Sequence, residues 1–405
     1  MTAVPATVPR GATGSRIQSV DALRGAIMML MAVDHIRDFI ARSAMQFSPT
    51  DLSRTTAAIF FTRWITHFCA PVFFLTAGMG AFLWKQRAGH SRPELSRFLI
   101  TRGIWLILLE LTVLRVIMFS QVDYRGGIVI LLILWAIGMS MIALAGLIYL
   151  PMRVLAAVSI AIVALHNLLD GIAPERFGKA AWMWDILHQQ ARFSFGGINF
   201  LTAYPVLPWI GVMGAGYCLG TVFTWDAARR QRFLIALGIA MTLAFLVLRA
   251  INIYGDPRPW HSQPSALFTV LSFLNTTKYP PSLDFLLMTL GPAMIALALL
   301  ERRRFSSDNP LIVFGRVPFF YYVLHLALAH LIAIFMNLVR YGRTPFLLMA
   351  SPSMGGDAKL FPPNFGYPLW AVYVVWIVVL LLLYPVCRWF ARLKQRRHDW
   401  WLSYL

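Results

Sequence analysis

Apolar residues run along the chain in long blocks separated by short polar breaks. Ten such blocks can be read, at 22–39, 58–84, 98–119, 127–149, 152–169, 200–225, 233–251, 282–300, 311–338 and 368–390. A helix needs about 20 apolar residues to cross a hydrocarbon core ~30 Å thick, and most of the blocks approach that length. The pattern predicts an all-α, polytopic transmembrane helical bundle of about ten spans. Only Leu150-Pro151 divides the fourth block from the fifth, and proline there suits the first turn of the next helix. The segments 171–199, 252–281 and 340–366 are long enough to fold into short helices or a lid, and 264–274 reads as one interfacial helix.

The first block carries charge where lipid disfavours it. Arg24 stands near its start and His35 well inside it. Eleven residues turn a helix through three turns plus roughly 20°, so the two side chains share a face about 16 Å apart. With Arg24 at a membrane surface, His35 lies near the middle of the bilayer, where an ionisable residue marks a functional site. Followed through alternating spans, His67 in the second, Glu110 in the third and His325 in the ninth reach a similar depth. Histidine can act as a general base, with a carboxylate to orient it. Asp34 is adjacent in sequence and points about 100° away from His35, so Glu110 from another helix is an equally good orienter. Each residue also has a plainer reading. A lone membrane histidine can simply bond a neighbouring helix, and Glu110 can pair with Arg115 or Arg63. Asp34, Arg37, Asp38 and Arg42 have i,i+3 and i,i+4 spacings for ion pairs along their own helix.

Hydrophobic residues make up 59% of the 405 positions and charged residues 13%, about half the charged share of a soluble domain. The net charge of +19 is spread over short loops, which argues against a nucleic-acid groove and for membrane orientation. Arg87, Arg92, Arg97, Arg153, Arg229, Arg230, Arg302, Arg303, Arg304, Arg392 and Lys394 all fall on one side of the alternating spans. The positive-inside rule makes that side cytoplasmic and places both termini there. Membrane lipids and the phosphates of a cofactor are the expected partners, with a homodimer as a candidate assembly. Cys69, Cys218 and Cys387 are scattered through apolar runs and predict neither a disulfide framework nor a metal site. The domain plan is a disordered tail at 1–18, a single transmembrane domain at 19–392 and a basic tail at 393–405.

Ser19-Val20-Asp21-Ala22-Leu23-Arg24-Gly25 followed by an apolar helix resembles the opening of the heparan-α-glucosaminide N-acetyltransferase catalytic-domain family. The resemblance continues through Pro71-Val72-Phe73-Phe74-Leu75-Thr76-Ala77-Gly78. Thr277-Lys278-Tyr279-Pro280-Pro281-Ser282-Leu283 and the 318–325 segment look like those of its bacterial members. Arg24-Gly25 with His35 eleven residues on is also similar to the acyltransferase-3 family, where this arginine and histidine are implicated in acyl transfer. The chain departs from the lysosomal branch, which has asparagine at His35, aspartate at His67, and a catalytic histidine in a loop that here, from Ile36 to Thr66, holds none. The resemblance implies an integral membrane acyltransferase of the bacterial inner membrane, using cytoplasmic acyl-CoA (acetyl-CoA foremost) and no metal. The acceptor it implies is a sugar or glycan on the outer side. The expected catalytic residues are His35, His67 and Asp34. Arg24, Arg102 and Arg316 are expected to hold the acyl-CoA, and His325, Glu110, Lys278 and Tyr322 the acceptor. The alternative is a proton-coupled small-molecule transporter that uses the midplane histidines as a relay.

Overall fold

The computed structural model describes residues 17–125, 127–397, 399 and 402. Of the expected tail at 1–18, only 17 and 18 are described, and Gln18 already opens the first helix. At the other end the last helix runs on to Arg396, into the segment expected as a tail, and His398 lies outside the described residues.

The fold is helical. Among the described residues, seven helices are long and apolar enough to cross a membrane: Ala57–Arg87, Met152–Leu169, Leu207–Thr224, Ala227–Ile251, Leu283–Leu300, Pro318–Tyr341 and Leu369–Arg396. The opening helix, Gln18–Ile40, is 23 residues long but carries Asp21, Arg24, Asp34, Arg37 and Asp38. It tolerates them because protein surrounds it, with the helices Leu283–Leu300, Pro318–Tyr341 and Leu369–Arg396 all packed against it.

Three expected blocks are divided. The block at 127–149 begins as strand β1 (Ile128–Leu131), and only Ile133–Leu147 is helical. The block at 200–225 likewise starts in a strand. β2 (Arg192–Phe195) and β3 (Ile198–Thr202) form a hairpin across Gly196-Gly197, whose φ values of 58° and 76° suit glycine. β1 pairs parallel to β3 and β2 antiparallel to it, giving the order β1-β3-β2. A run of Ile and Val reads as apolar in either conformation, so hydropathy could not separate strand from helix. The block at 311–338 is broken at Pro318 into Pro310–Arg316 and Pro318–Tyr341, since proline cannot continue the backbone ladder.

Glycine sets the closest approaches. A Cβ on Gly25 would lie 1.8 Å from the Leu311 carbonyl oxygen, and one on Gly315 1.8 Å from that of Asp21. The opening helix and the half-helix Pro310–Arg316 therefore meet backbone to backbone. Gly78 and Gly216 do the same for the second and sixth spans, against Met213 and Leu75.

The two ends of the bundle differ. At one end Gln18 exchanges hydrogen bonds with the Phe305 backbone, Arg230 pairs with Glu301 at 2.7 Å, and Asp308 accepts from Arg388 at 2.6 and 2.8 Å. These contacts bring the loops near residues 18, 230, 301–308 and 388 together at that end. At the opposite end Tyr367 bridges the terminus of the opening helix, accepting from Arg42 N and donating to Ile40 O. The segment 252–281 there contains the expected short helix, at Ala266–Leu274.

Candidate active site

The opening helix and the helix Pro318–Tyr341 place two histidine rings in contact. His35 Nδ1 lies 2.7 Å from His325 Nε2, and His325 Nδ1 lies 3.0 Å from the Tyr321 carbonyl oxygen. The carbonyl can only accept, so His325 donates through Nδ1. With Nδ1 donating, an uncharged His325 offers its Nε2 as an acceptor. His35 must then donate through Nδ1, and its own Nε2 carries the free lone pair. The network thus orders both tautomers toward one bare nitrogen, on the histidine that lines a cavity. Tyr322 packs edge-on against both rings, with centroids 6.0 and 5.6 Å away.

The cavity beside His35 has a volume of about 130 Å³, with Asp34, Arg63, Cys69, Tyr204, Lys278, Tyr279 and Tyr322 in its walls. It abuts two larger ones. Toward the basic end lies an apolar cavity of about 260 Å³ holding Arg24 and Arg102, and it shares Ile133 and Tyr322 with the central cavity. Toward the opposite end lies a polar cavity of about 540 Å³ with Arg37, His67, Gln190 and Arg258 in its walls. That one shares Asp38, Arg63, Lys278 and Tyr279 with the central cavity. Three spaces therefore stand end to end, and His35 lines the middle one. The eleven-residue spacing of Arg24 and His35 places them in adjoining cavities, Arg24 in the apolar one and His35 in the central one.

Charge surrounds the centre. Asp34 pairs with Arg63 of the second span and lies 2.8 Å from Arg37, close but off-axis for a hydrogen bond. Arg37 also bonds Asp38 at 2.6 Å. Asp34 thus engages two arginines, and the partner of His35 is another histidine instead of the expected carboxylate. Arg42 reaches the Gly366 carbonyl and not an acid on its own helix.

Lys278 and Tyr279 enter on the loop after the Ala266–Leu274 helix. Asp256 fixes that loop by accepting from Thr277 N, Thr277 Oγ1 and Ser282 Oγ at 2.6–2.8 Å. Arg249, almost fully buried, braces the same region by donating to the carbonyls of Arg258, Ser272, Phe273 and Asn275. Neither Asp256 nor Arg249 was legible as part of a site. The Tyr279 hydroxyl donates to Tyr204 Oη at 3.4 Å. Burial pushes the Tyr279 phenol up, but the Lys278 and Arg63 cations pull it further down, and its net shift is downward.

The remaining candidates fall elsewhere. His67 is buried, packs against Phe285 at 5.3 Å and lines the polar cavity, without joining the His35–His325 pair. Glu110 pairs with neither Arg115 nor Arg63. Its two oxygens accept from Leu132 N and Leu134 N at 2.6 and 2.7 Å, capping the helix Ile133–Leu147, and it lines a small separate cavity that shares Met118 and Leu132 with the central one. Carboxylates suit the positive end of a helix, so the bonds Glu110 makes are those of a cap, and it lines neither the central nor the polar cavity. Arg115 instead donates to the Asp123 and Ile128 carbonyls. Arg316 does not line the cavity that holds Arg24 and Arg102, although Arg24 reaches the neighbouring Gly315 carbonyl at 3.4 Å.

A helical bundle with apolar, membrane-length spans and a buried ionisable centre on a chain of cavities defines a polytopic membrane protein of the enzyme or transporter class. Residues 16–256, more than half of the chain, match the family described as Heparan-alpha-glucosaminide N-acetyltransferase, catalytic, and the chain belongs to that family. The family implies transferase activity of the membrane N-acetyltransferase kind. No curated protein matches the chain. The matched span includes Arg24, His35, His67 and Arg102, whereas Lys278, Tyr322 and His325 come from beyond it and reach the centre through the fold.

Proposed function

We propose that this protein transfers an acetyl group from cytoplasmic acetyl-CoA to an amine or hydroxyl of a sugar-like acceptor that arrives from the other side of the membrane. The observation that carries this reading is the set of three adjoining cavities with His35, hydrogen-bonded to His325 behind it, in the wall of the middle one. Arg24 and Arg102 are cations suited to the phosphates of the donor, and the apolar cavity between them and Tyr322 accepts its thin pantetheine arm. Arg24 and His35 are about 16 Å apart by helix rise, a distance that an extended arm spans. The polar cavity, with Arg37, Arg258, Gln190 and Asn275, suits a hydroxyl-rich acceptor. His35 Nε2 takes the proton from the attacking amine or hydroxyl as the nucleophile adds to the thioester carbonyl. Lys278, in the wall of the same cavity, supplies a cation for the oxyanion. Collapse breaks the C–S bond, and the proton on His35 passes to the departing thiolate, giving free CoA and the acetylated acceptor. Asp34 anchors the two arginines and takes no proton.

The test is thiol release from acetyl-CoA by the full chain in lipid nanodiscs with amino-sugar acceptors. Acceptor-dependent thiol release is the expected result. Proton-driven uptake of solute into vesicles without thioester cleavage would overturn it in favour of a transporter. Arg24→Ala should raise KM for acetyl-CoA about tenfold or more, the loss of a charge-assisted bond worth roughly 1.5–3 kcal/mol, with kcat little changed.

The sidedness rests on the basic loops. Cysteines introduced at Arg87, Arg230 and Arg303 should react with an impermeant maleimide only after the membrane of a whole cell is opened. Labelling of all three in intact cells would reverse the orientation and the side from which the donor comes.

A further inference from the structure

A second cluster of ligating side chains lies apart from the histidine pair, at the end of the bundle that holds the polar cavity. His166 begins the 3₁₀ turn that closes the helix Met152–Leu165, Asp170 follows that turn, and His188 caps the helix Ala181–Leu187. One ring nitrogen from each histidine and a carboxylate oxygen of Asp170 lie within 4.8 Å of one another. His166 is 2% exposed and His188 fully buried. Neither ring nitrogen of His166 finds a hydrogen-bond partner among the described residues, and nor does Nδ1 of His188. Leaving such groups unsatisfied in the interior costs about 1–3 kcal/mol each. Asp170 is already oriented: Oδ1 lies 2.9 Å from His188 Nε2, and Oδ2 accepts from Asn167 Nδ2 at 2.8 Å.

We infer that His166, Asp170 and His188 form a binding site for a divalent first-row transition ion, zinc foremost. Two imidazoles and one carboxylate match the nitrogen and oxygen ligands such ions take, with bonds of about 2.0–2.2 Å. The ion needs only a modest inward movement of three side chains already gathered. It replaces the His188–Asp170 hydrogen bond and gives the bare His166 ring a partner. Asn167 supplies the outer hydrogen bond that steadies the carboxylate, a role typical of metal sites. The fourth position is left to water.

The site ties together parts that bear on the polar cavity. It joins the end of one span to the segment that carries β2, across the loop 171–180. Asn167 also accepts from Leu283 N at 2.9 Å, at the start of the helix that follows the Lys278 loop. Gln190, two residues after His188, lines the polar cavity. A bound ion therefore fixes the rim of that cavity. This inference does not depend on the acetyl-transfer reading, because its test measures the ion and not turnover.

The experiment is a cobalt(II) titration of the full chain in detergent, purified without a polyhistidine tag and stripped with chelator. Roughly one cobalt per chain should bind, with visible d–d absorption of a low-coordinate nitrogen and oxygen site, and zinc should displace it. His166→Ala and His188→Ala should abolish that absorption. Asn167→Ala keeps all three ligands and should weaken cobalt about 10–100-fold. Failure of the wild-type chain to take up stoichiometric cobalt at micromolar concentration would overturn the site, whatever the variants do. Equal uptake by wild type and His166→Ala would overturn it as well. If either histidine variant does not fold, unchanged affinity in Asn167→Ala decides against the site.

Discussion

Replacing His35 by alanine should lower turnover about 10²–10⁴-fold, the usual worth of a positioned general base, while KM for acetyl-CoA stays near its wild-type value. The split follows from geometry. Arg24 and Arg102, the residues proposed to hold the donor, line the neighbouring cavity and are untouched by the change. On the proposed mechanism His325 acts through His35 as a positioning residue. His325→Phe removes the acceptor for His35 Nδ1–H and frees the imidazole to take the wrong tautomer, so kcat should fall with KM little changed. His325→Gln can still accept that hydrogen through its side-chain oxygen and should recover part of the loss. A purely packing role would make Phe the better replacement and Gln the worse. His67→Ala separates the two candidate bases. His67 lines the polar cavity, away from the pair, so its loss should raise KM for the acceptor more than it lowers kcat. A dead His67→Ala beside an active His35→Ala would move the base to the second span.

The sequence allowed the depth of these residues to be read but not their partners. Helical periodicity was enough to put Arg24 and His35 on one face, because that inference needs only a continuous helix, and Gln18–Ile40 is continuous. Depth counting also brought His325 to the level of His35. It did not give their contact, which depends on how Pro310–Arg316 packs on the opening helix through Gly25 and Gly315. Glu110 shows the opposite failure. A carboxylate in an apolar run reads as chemistry, yet here it caps a helix whose start was hidden because β1 is as apolar as the helix after it. His166, Asp170 and His188 were invisible for a related reason. Their spacing matches no local metal motif, and His188, 18 positions after Asp170, must fold back before the three meet. Asp256 and Arg249 lacked any local signal, since they act on carbonyls, amides and hydroxyls of a loop that only the fold brings near them.

Asp34→Ala should destabilise the protein by about 3–5 kcal/mol, the cost of leaving buried charges without their partner. Arg37 is 4% exposed and Arg63 13%, and both converge on this one carboxylate from different helices. Arg37 retains Asp38 at 2.6 Å, which places the effect toward the lower end and puts most of it on Arg63. Thermal unfolding in detergent, followed by light scattering and intrinsic fluorescence, reads the loss. A change below about 1 kcal/mol would mean that cavity water already solvates the two guanidinium groups. The double variant Asp34→Ala with Arg63→Met removes both members of the pair and should be more stable than Asp34→Ala alone, because an apolar side chain replaces a stranded cation. The same variant decides what Asp34 does in the reaction. With both oxygens turned to arginine and His35 already oriented by His325, an anchoring role leaves measurable turnover in the double variant. Turnover as low as that of His35→Ala would return Asp34 to the catalytic set.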